Sequence, residues 1–151
     1  AQSGLGAVGA ELDRLDAESD RDFFDIVQPG EKRAVLASLV WLESVAPVVY
    51  AFMNTPDGYK LLFADGIFAE MAVFEPDELA HIPFSGGRFV WRAPAFTLHV
   101  PLDGNALPDA EHARSLEWLV NEALSNLNIG LGRFQRGEHF SAPRFITASA
   151  A

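Results

Sequence analysis

The chain has 151 residues, 49% of them hydrophobic and 21% charged, enough apolar material for a real core and too little charge for a disordered segment. Its 11 basic residues against 21 acidic ones give a formal charge of -10, which disfavours binding to nucleic acid or to an anionic membrane surface. Cysteine is absent, so a disulfide framework, a thiolate nucleophile and a cysteine zinc site are excluded.

In chain order, residues 1–9 are small and Gly-rich and residues 11–22 are charged, so a loop leads into the apolar run Phe23 to Val27, which reads as a short strand. Pro29-Gly30 stops it. Glu31 to Ser44 places Ala34, Val35, Leu36, Leu39, Val40 and Leu42 among charges, the pattern of an amphipathic helix. Pro47 to Met53 and Tyr59 to Phe63 are apolar and flank Asn54-Thr55-Pro56-Asp57-Gly58, whose turn chemistry predicts a hairpin. Ile67 to Phe74 is a third strong strand. A brief helix at Asp77 to His81 and a small strand at Arg88 to Arg92 follow. The spacing of Ala113, Leu116, Leu119, Val120, Ala123, Leu124 and Leu127 predicts a helix over Asp109 to Asn128, with Gly130 and Gly132 loosening its end or allowing close packing. Arg133 to Phe145 reads as a second helical piece interrupted at Pro143. No apolar run reaches the ~20 residues of a bilayer span. Strands followed by helices argue for an α+β fold with a helical C-terminal layer.

The residues that could carry chemistry are acids. In Ser19-Asp20-Arg21-Asp22-Phe23-Phe24, Asp20 and Asp22 are separated by one residue at the start of a strand and so point to one side. Hard oxygen ligands in that arrangement suit Mg²⁺, as phosphoryl and nucleotidyl transfer require, although an isolated Asp-x-Asp is more often a solvated loop. Glu70 adds weight, because it stands alone in an apolar strand, where a charge is expensive unless it is paired, metal-bound or facing water. If its strand lies beside that of Asp20, three carboxylates converge and call for a cation. Gly4-Leu5-Gly6-Ala7-Val8-Gly9 has the spacing of a dinucleotide fingerprint with Asp25 as ribose ligand, a weak signal without a preceding strand and a following strand-helix-strand unit. His81, His99, His112 and His139 lack metal-ligand spacing. Trp41, Trp91 and Trp118 read as core or interface residues, and Arg133, Arg136 and Arg144 as a solvated face or a contact for phosphate or an acidic surface.

Taken together, Ser3-Gly4, the Asp20-Arg21-Asp22 segment, Ala46 to Phe52, the strand containing Glu70 and the tail Asn121 to Glu138 resemble the polymerase-β-type nucleotidyltransferases, most of all the lincosamide nucleotidyltransferase-like group of small antibiotic-modifying enzymes. The resemblance implies a mixed sheet with flanking helices over residues 1–100 and the beginning of a helical C-terminal domain over 101–151, each expected to be truncated. It implies a cytoplasmic, magnesium-dependent enzyme that moves a nucleoside monophosphate from an NTP, ATP first, to a hydroxyl of a small molecule such as a lincosamide or aminoglycoside. Ser3 and Gly4 would hold the triphosphate, and Asp20, Asp22 and Glu70 would bind Mg²⁺, with Glu70 also as general base. The expected partners are a nucleotide and a small-molecule acceptor, with neither nucleic acid nor membrane, and a homodimer through the C-terminal helices. Two further readings stand beside it: a noncatalytic module of the same shape used for binding or dimerisation, and a fragment of a dinucleotide-binding oxidoreductase.

Overall fold

The computed structural model describes residues 2–4, 16, 19–84, 86–104 and 114–148. In chain order its elements are strands β1 (Gln2–Gly4) and β2 (Arg21–Ile26), helices α1 (Lys32–Leu36) and α2 (Val40–Glu43), strands β3 (Val48–Thr55), β4 (Gly58–Phe63) and β5 (Phe68–Phe74), a 3-10 turn at Glu78–Ala80, strand β6 (Arg88–Trp91), and helices α3 (Leu116–Gln135) and α4 (Ala142–Ala148). The strands form one mixed sheet in the order β3-β4-β5-β2-β1-β6. Only β2 and β5 are parallel, and every other neighbouring pair is antiparallel.

Strand alternation sorts the sheet's side chains into two faces. Phe23, Met71, Tyr59, Ala69, Leu61 and Val73 point to one, where Leu42 and the flanking Val35, Leu36, Leu39 and Trp41 of the α1–α2 region cover them. Phe24, Ile26, Ala72 and Phe74 point to the other and pack against Leu79, Phe96 and Val100 from the chain after β5. Phe24 meets Phe74 edge-on with ring centroids 4.9 Å apart. That second core fills only one end of its face. The other end carries Asp22, Glu70 and Lys60, and α3 lies beside it.

Three expectations from the sequence are corrected, the first of them by tertiary contacts. The helix expected over Glu31 to Ser44 is broken between Leu36 and Val40. Tyr59 Oη donates to the Leu36 carbonyl at 2.9 Å and Trp41 Nε1 to that of Val35 at 3.3 Å, so side chains take the acceptors that a continuous helix would use. The long helix begins at Leu116, where Ser115 Oγ accepts from the Trp118 amide at 3.0 Å, a side-chain cap. It runs through Gly130 and Gly132 to Gln135 and takes in Arg133 as part of its last turn. Pro143 sits in the first turn of α4, where a missing N–H costs nothing, and does not interrupt a helix. Gly130 lets the two helices approach, since a Cβ there would stand 2.7 Å from Ile146 Cγ1 and 3.2 Å from the Ala142 carbonyl oxygen. No helix among the described residues is long and apolar enough to cross a membrane.

Candidate functional site

The parallel pairing of β2 with β5 places Asp22 directly opposite Glu70. The antiparallel pairing of β5 with β4 places Lys60 opposite Glu70, and β3 continues the row with Phe52. Paired residues share a face, and neighbouring strands are about 4.8 Å apart, so Asp22, Glu70 and Lys60 form one charged row across three strands. Asp20, two residues before Asp22 and just ahead of β2, adds its negative charge to both acids.

Each partner in the row is placed by its neighbours. Glu70 Oε1 accepts from Asn54 Nδ2 at 2.7 Å, and its Oε2 lies 3.9 Å from Lys60 Nζ. Lys60, only 6% exposed, donates to Glu122 Oε1 of α3 at 2.6 Å, and Asn126 Nδ2 reaches the same oxygen at 3.3 Å. The Trp118 indole N–H donates to the Asn54 carbonyl at 2.8 Å, and Tyr50 Oη to Asn121 Oδ1 at 2.5 Å. The side of α3 toward the sheet is therefore polar. Its contacts select one helix position, because each buried donor or acceptor would be stranded by a shift along the axis.

Electrostatics mark Asp22 most strongly. Burial pushes its carboxyl up to about 7, the charges of Asp20 and Glu70 add to the rise, and Lys60 and Arg133 oppose it. Glu70 is also raised, first by the protein that surrounds it and then by Glu122 and Asp20, against the opposing pull of Lys60 and the Asn54 hydrogen bond. Its side chain keeps 43% of its surface exposed. A cleft of about 210 Å³ at the start of β2 and β5, beside the C-terminal half of α3, is lined by Ser19, Asp20, Phe68, Asn128, Gly132 and Arg136; of the three acids Asp20 alone lines it. Arg136 Nη1 reaches Asp16 at 3.5 Å and Ser19 Oγ at 3.3 Å, and its Nε binds Glu138 at 2.8 Å. Arg133 also binds Glu138, at 3.0 Å, and lies over the Phe145 ring.

The carboxylate oxygens of Asp20, Asp22 and Glu70 are of the donor type that a divalent cation such as Mg²⁺ takes, and Asp22 and Glu70 share one face of the sheet. As the side chains stand, no three His, Cys, Asp or Glu residues among those described are drawn together into a group able to hold a metal ion. Glu70 faces Asn54 and Lys60 instead of closing on the aspartates.

Ser3 and Gly4 require a correction. They were expected on a phosphate-holding loop, whereas they lie in β1, opposite Phe24 and Phe23 of β2 and bordered by β6 on the other side. Ladder pairing on both sides engages the backbone of these residues in the sheet, so they are strand and not loop residues. The antiparallel β1–β2 pair also differs from the parallel pair that a dinucleotide fingerprint joins; Gly6 and Gly9 lie outside the described residues.

Asn54, Lys60, Trp118 and Glu122 surround Glu70, although in the sequence they stand in a turn, a strand, a core-or-interface position and a helix. Only Lys60 carried a usable signal, a lone cation inside the apolar strand Gly58 to Phe63, the mirror image of what singled out Glu70. No family model matches the chain, and no curated protein is significantly similar to it.

Proposed function

We propose that the protein is a nucleotidyltransferase of the polymerase-β type, transferring a nucleoside monophosphate from an NTP, ATP first, to a hydroxyl of a small acceptor of the lincosamide or aminoglycoside kind. The observation that carries this reading is the direct pairing of Asp22 with Glu70 on parallel neighbours, with Asp20 beside them at a cleft. Asp20 and Asp22 would hold Mg²⁺, with Glu70 completing the set. Bound there, the cation supplies charge neutralisation for the triphosphate.

The remaining chemistry falls to the chain itself. Glu70 takes the proton of the acceptor hydroxyl, whose oxygen attacks the α-phosphorus as the bond to the bridging oxygen breaks and pyrophosphate leaves. The cleft that Asp20 lines beside α3 would offer the acceptor a seat next to the acids.

The test is pyrophosphate release on incubation with ATP, Mg²⁺ and a panel of lincosamides and aminoglycosides. Asp22→Asn should abolish it, and should abolish Mg²⁺-dependent nucleotide binding, without unfolding the protein. Absence of turnover across the panel, together with absence of Mg²⁺-dependent ATP binding, overturns the reading.

A second reading, a noncatalytic assembly module, is favoured by one observation. Leu116, Val120, Leu124, Leu127, Leu131 and Phe134 lie exposed along α3 at helical spacing, a stripe able to meet a second copy of the chain. Sedimentation of the wild type and Leu124→Glu separates a dimer built on that stripe from a monomer, and calorimetric titration with Mg²⁺ and ATP should yield only dilution heat if this reading holds.

A further inference from the structure

Helix α3 turns its polar side to the protein and its apolar side away. Trp118, Asn121 and Glu122 tie it to Asn54, Tyr50 and Lys60 of the sheet, and Gly130 seats it against α4. The buried positions of the helix are Ser125, Gly130 and Gly132. Val120, Leu124, Leu127, Leu131 and Phe134 are between 41% and 54% exposed. Their separations alternate between four residues and three, the repeat of a helix whose seam packs on a second helix. An ordinary amphipathic helix buries such a stripe in its own core, and α3 does the reverse.

The seam is also neutral. From Trp118 to Gly132 the one charged residue is Glu122, and Lys60 holds it on the side of the sheet. In a chain of formal charge -10, this is a surface along which a second copy can approach without setting like charges together. Charge returns at the ends of the helix, as Glu117 in the first turn and Arg133 in the last. Parallel copies would set Glu117 against Glu117, whereas antiparallel copies bring it to the end that carries Arg133 and let the two helix dipoles oppose one another.

We propose that two copies of the chain pair through α3, antiparallel about a two-fold axis that passes between Leu124 and Leu127. The midpoint of α3 falls there, so the helices overlap along their full length. Leu124 of each copy then faces Leu127 of the other, Val120 faces Leu131, and Phe134 covers Leu116, itself 77% exposed. Over a helix about 30 Å long, covering these side chains removes on the order of 1,000 Å² from water, the size at which an interface becomes specific. Leu131 also lines the cleft that Asp20 lines, so Val120 of the second copy comes to the rim of that cleft. The proposal rests on the assembly reading of the exposed stripe and adds to it the orientation and register of the pair.

Sedimentation of the full chain over a concentration series, with far-UV circular dichroism as the control for folding, tests the seam. The wild type should dimerise. Leu124→Glu sets a carboxylate into each of the two central layers and should weaken the dimer by about 100-fold or more; Leu127→Lys does the same and carries the test if Leu124→Glu does not fold. Disulfide trapping reads the orientation, since the chain has no cysteine of its own. A mixture of Val120→Cys and Leu131→Cys should give a disulfide-linked pair on mild oxidation. Val120→Cys alone should not, because in the antiparallel register the two copies of that position stand ~16 Å apart along the axis. A wild type that stays monomeric throughout the series, its seam covered by another stretch of the chain or kept for a different protein, overturns the proposal and the assembly reading together. A dimer indifferent to both Leu124→Glu and Leu127→Lys overturns the seam as its interface. A dimer that is sensitive to them but links Val120→Cys to itself overturns the antiparallel register and leaves the assembly reading standing.

Discussion

Asp22 occupies a position where ionisation is costly, and the cost has a direction in pH. Burial, then Asp20 and Glu70, raise its carboxyl from 3.8 to about 7 in the folded chain. Between those values the folded state holds a proton that the unfolded chain has lost, so the associated stability is present at low pH and lost as pH rises toward and through 7. Asp22→Asn removes this titration at nearly constant shape. In a chelating buffer, thermal melts of the two proteins should agree near pH 4 and diverge as pH rises. By pH 8 the variant should be the more stable by on the order of 1–2 kcal/mol, allowing for solvent screening. A wild type that remains the more stable at pH 8 would mean that the three acids do not burden the fold. Glu138 has the opposite sign. Ser141 donates to its Oε2 at 2.8 Å and Arg136 and Arg133 bind it, so its carboxyl is held below the usual value of 4.5 despite an opposing effect of burial. Its contribution is present above 4.5 and lost as pH falls through the lowered value, so Glu138→Gln should cost about 1 kcal/mol at neutral pH and progressively less as pH falls below 4.5. Charge in an unusual place was legible at this scale for Asp20, Asp22 and Glu70. Lys60 wrote the same signature, but its partner Glu122 lies 62 positions away, and no local pattern announces a pair so far apart.

At the scale of elements, the charged row depends on how closely β4 lies against β5. Gly58 opens β4 opposite Ala72, and a Cβ at Gly58 would overlap the Met71 carbonyl oxygen, a backbone atom that cannot rotate away. Gly58→Ala must therefore push the start of β4 off β5 and, two residues on, displace Lys60 from Glu70. The expected loss is about 3 kcal/mol in urea unfolding, the upper part of the range for overpacking. A variant of wild-type stability would mean that the hairpin adjusts without strain. The hairpin itself was readable, because Pro56-Asp57-Gly58 sets a turn locally. The break between α1 and α2 was not, since it depends on Tyr59 and Trp41 taking carbonyls of the first helix. Strand β1 escaped for a related reason: three small or polar residues carry no apolar alternation, and pairing on both sides, from β2 and β6, makes them a strand.

Over the whole molecule, one sheet separates two apolar clusters, and the strands that bear the acids build both. Ile26 of β2 anchors one cluster and Met71 of β5 the other, each with 1% of its surface exposed. Since β2 and β5 are paired along their full length, neither cluster can melt without unpairing the strands that support the other. The α+β class and the order of most elements were legible from patterns of apolar residues, but the parallel β2–β5 contact joins segments about 50 residues apart and is created only when both clusters form. Ile26→Ala and Met71→Ala should accordingly each cost about 2–5 kcal/mol and lower one common transition. Helix α3 belongs to that unit if the Trp118, Asn121 and Glu122 contacts hold it to β3 and β4 as strongly as their burial implies. Native-state hydrogen exchange decides this. Amides of α3 and of β5 should exchange with the same opening free energy in the wild type. In Lys60→Met, which leaves Glu122 without its ammonium, α3 should exchange earlier than β5. Early exchange of α3 already in the wild type would instead make the helix a separate unit resting on the sheet.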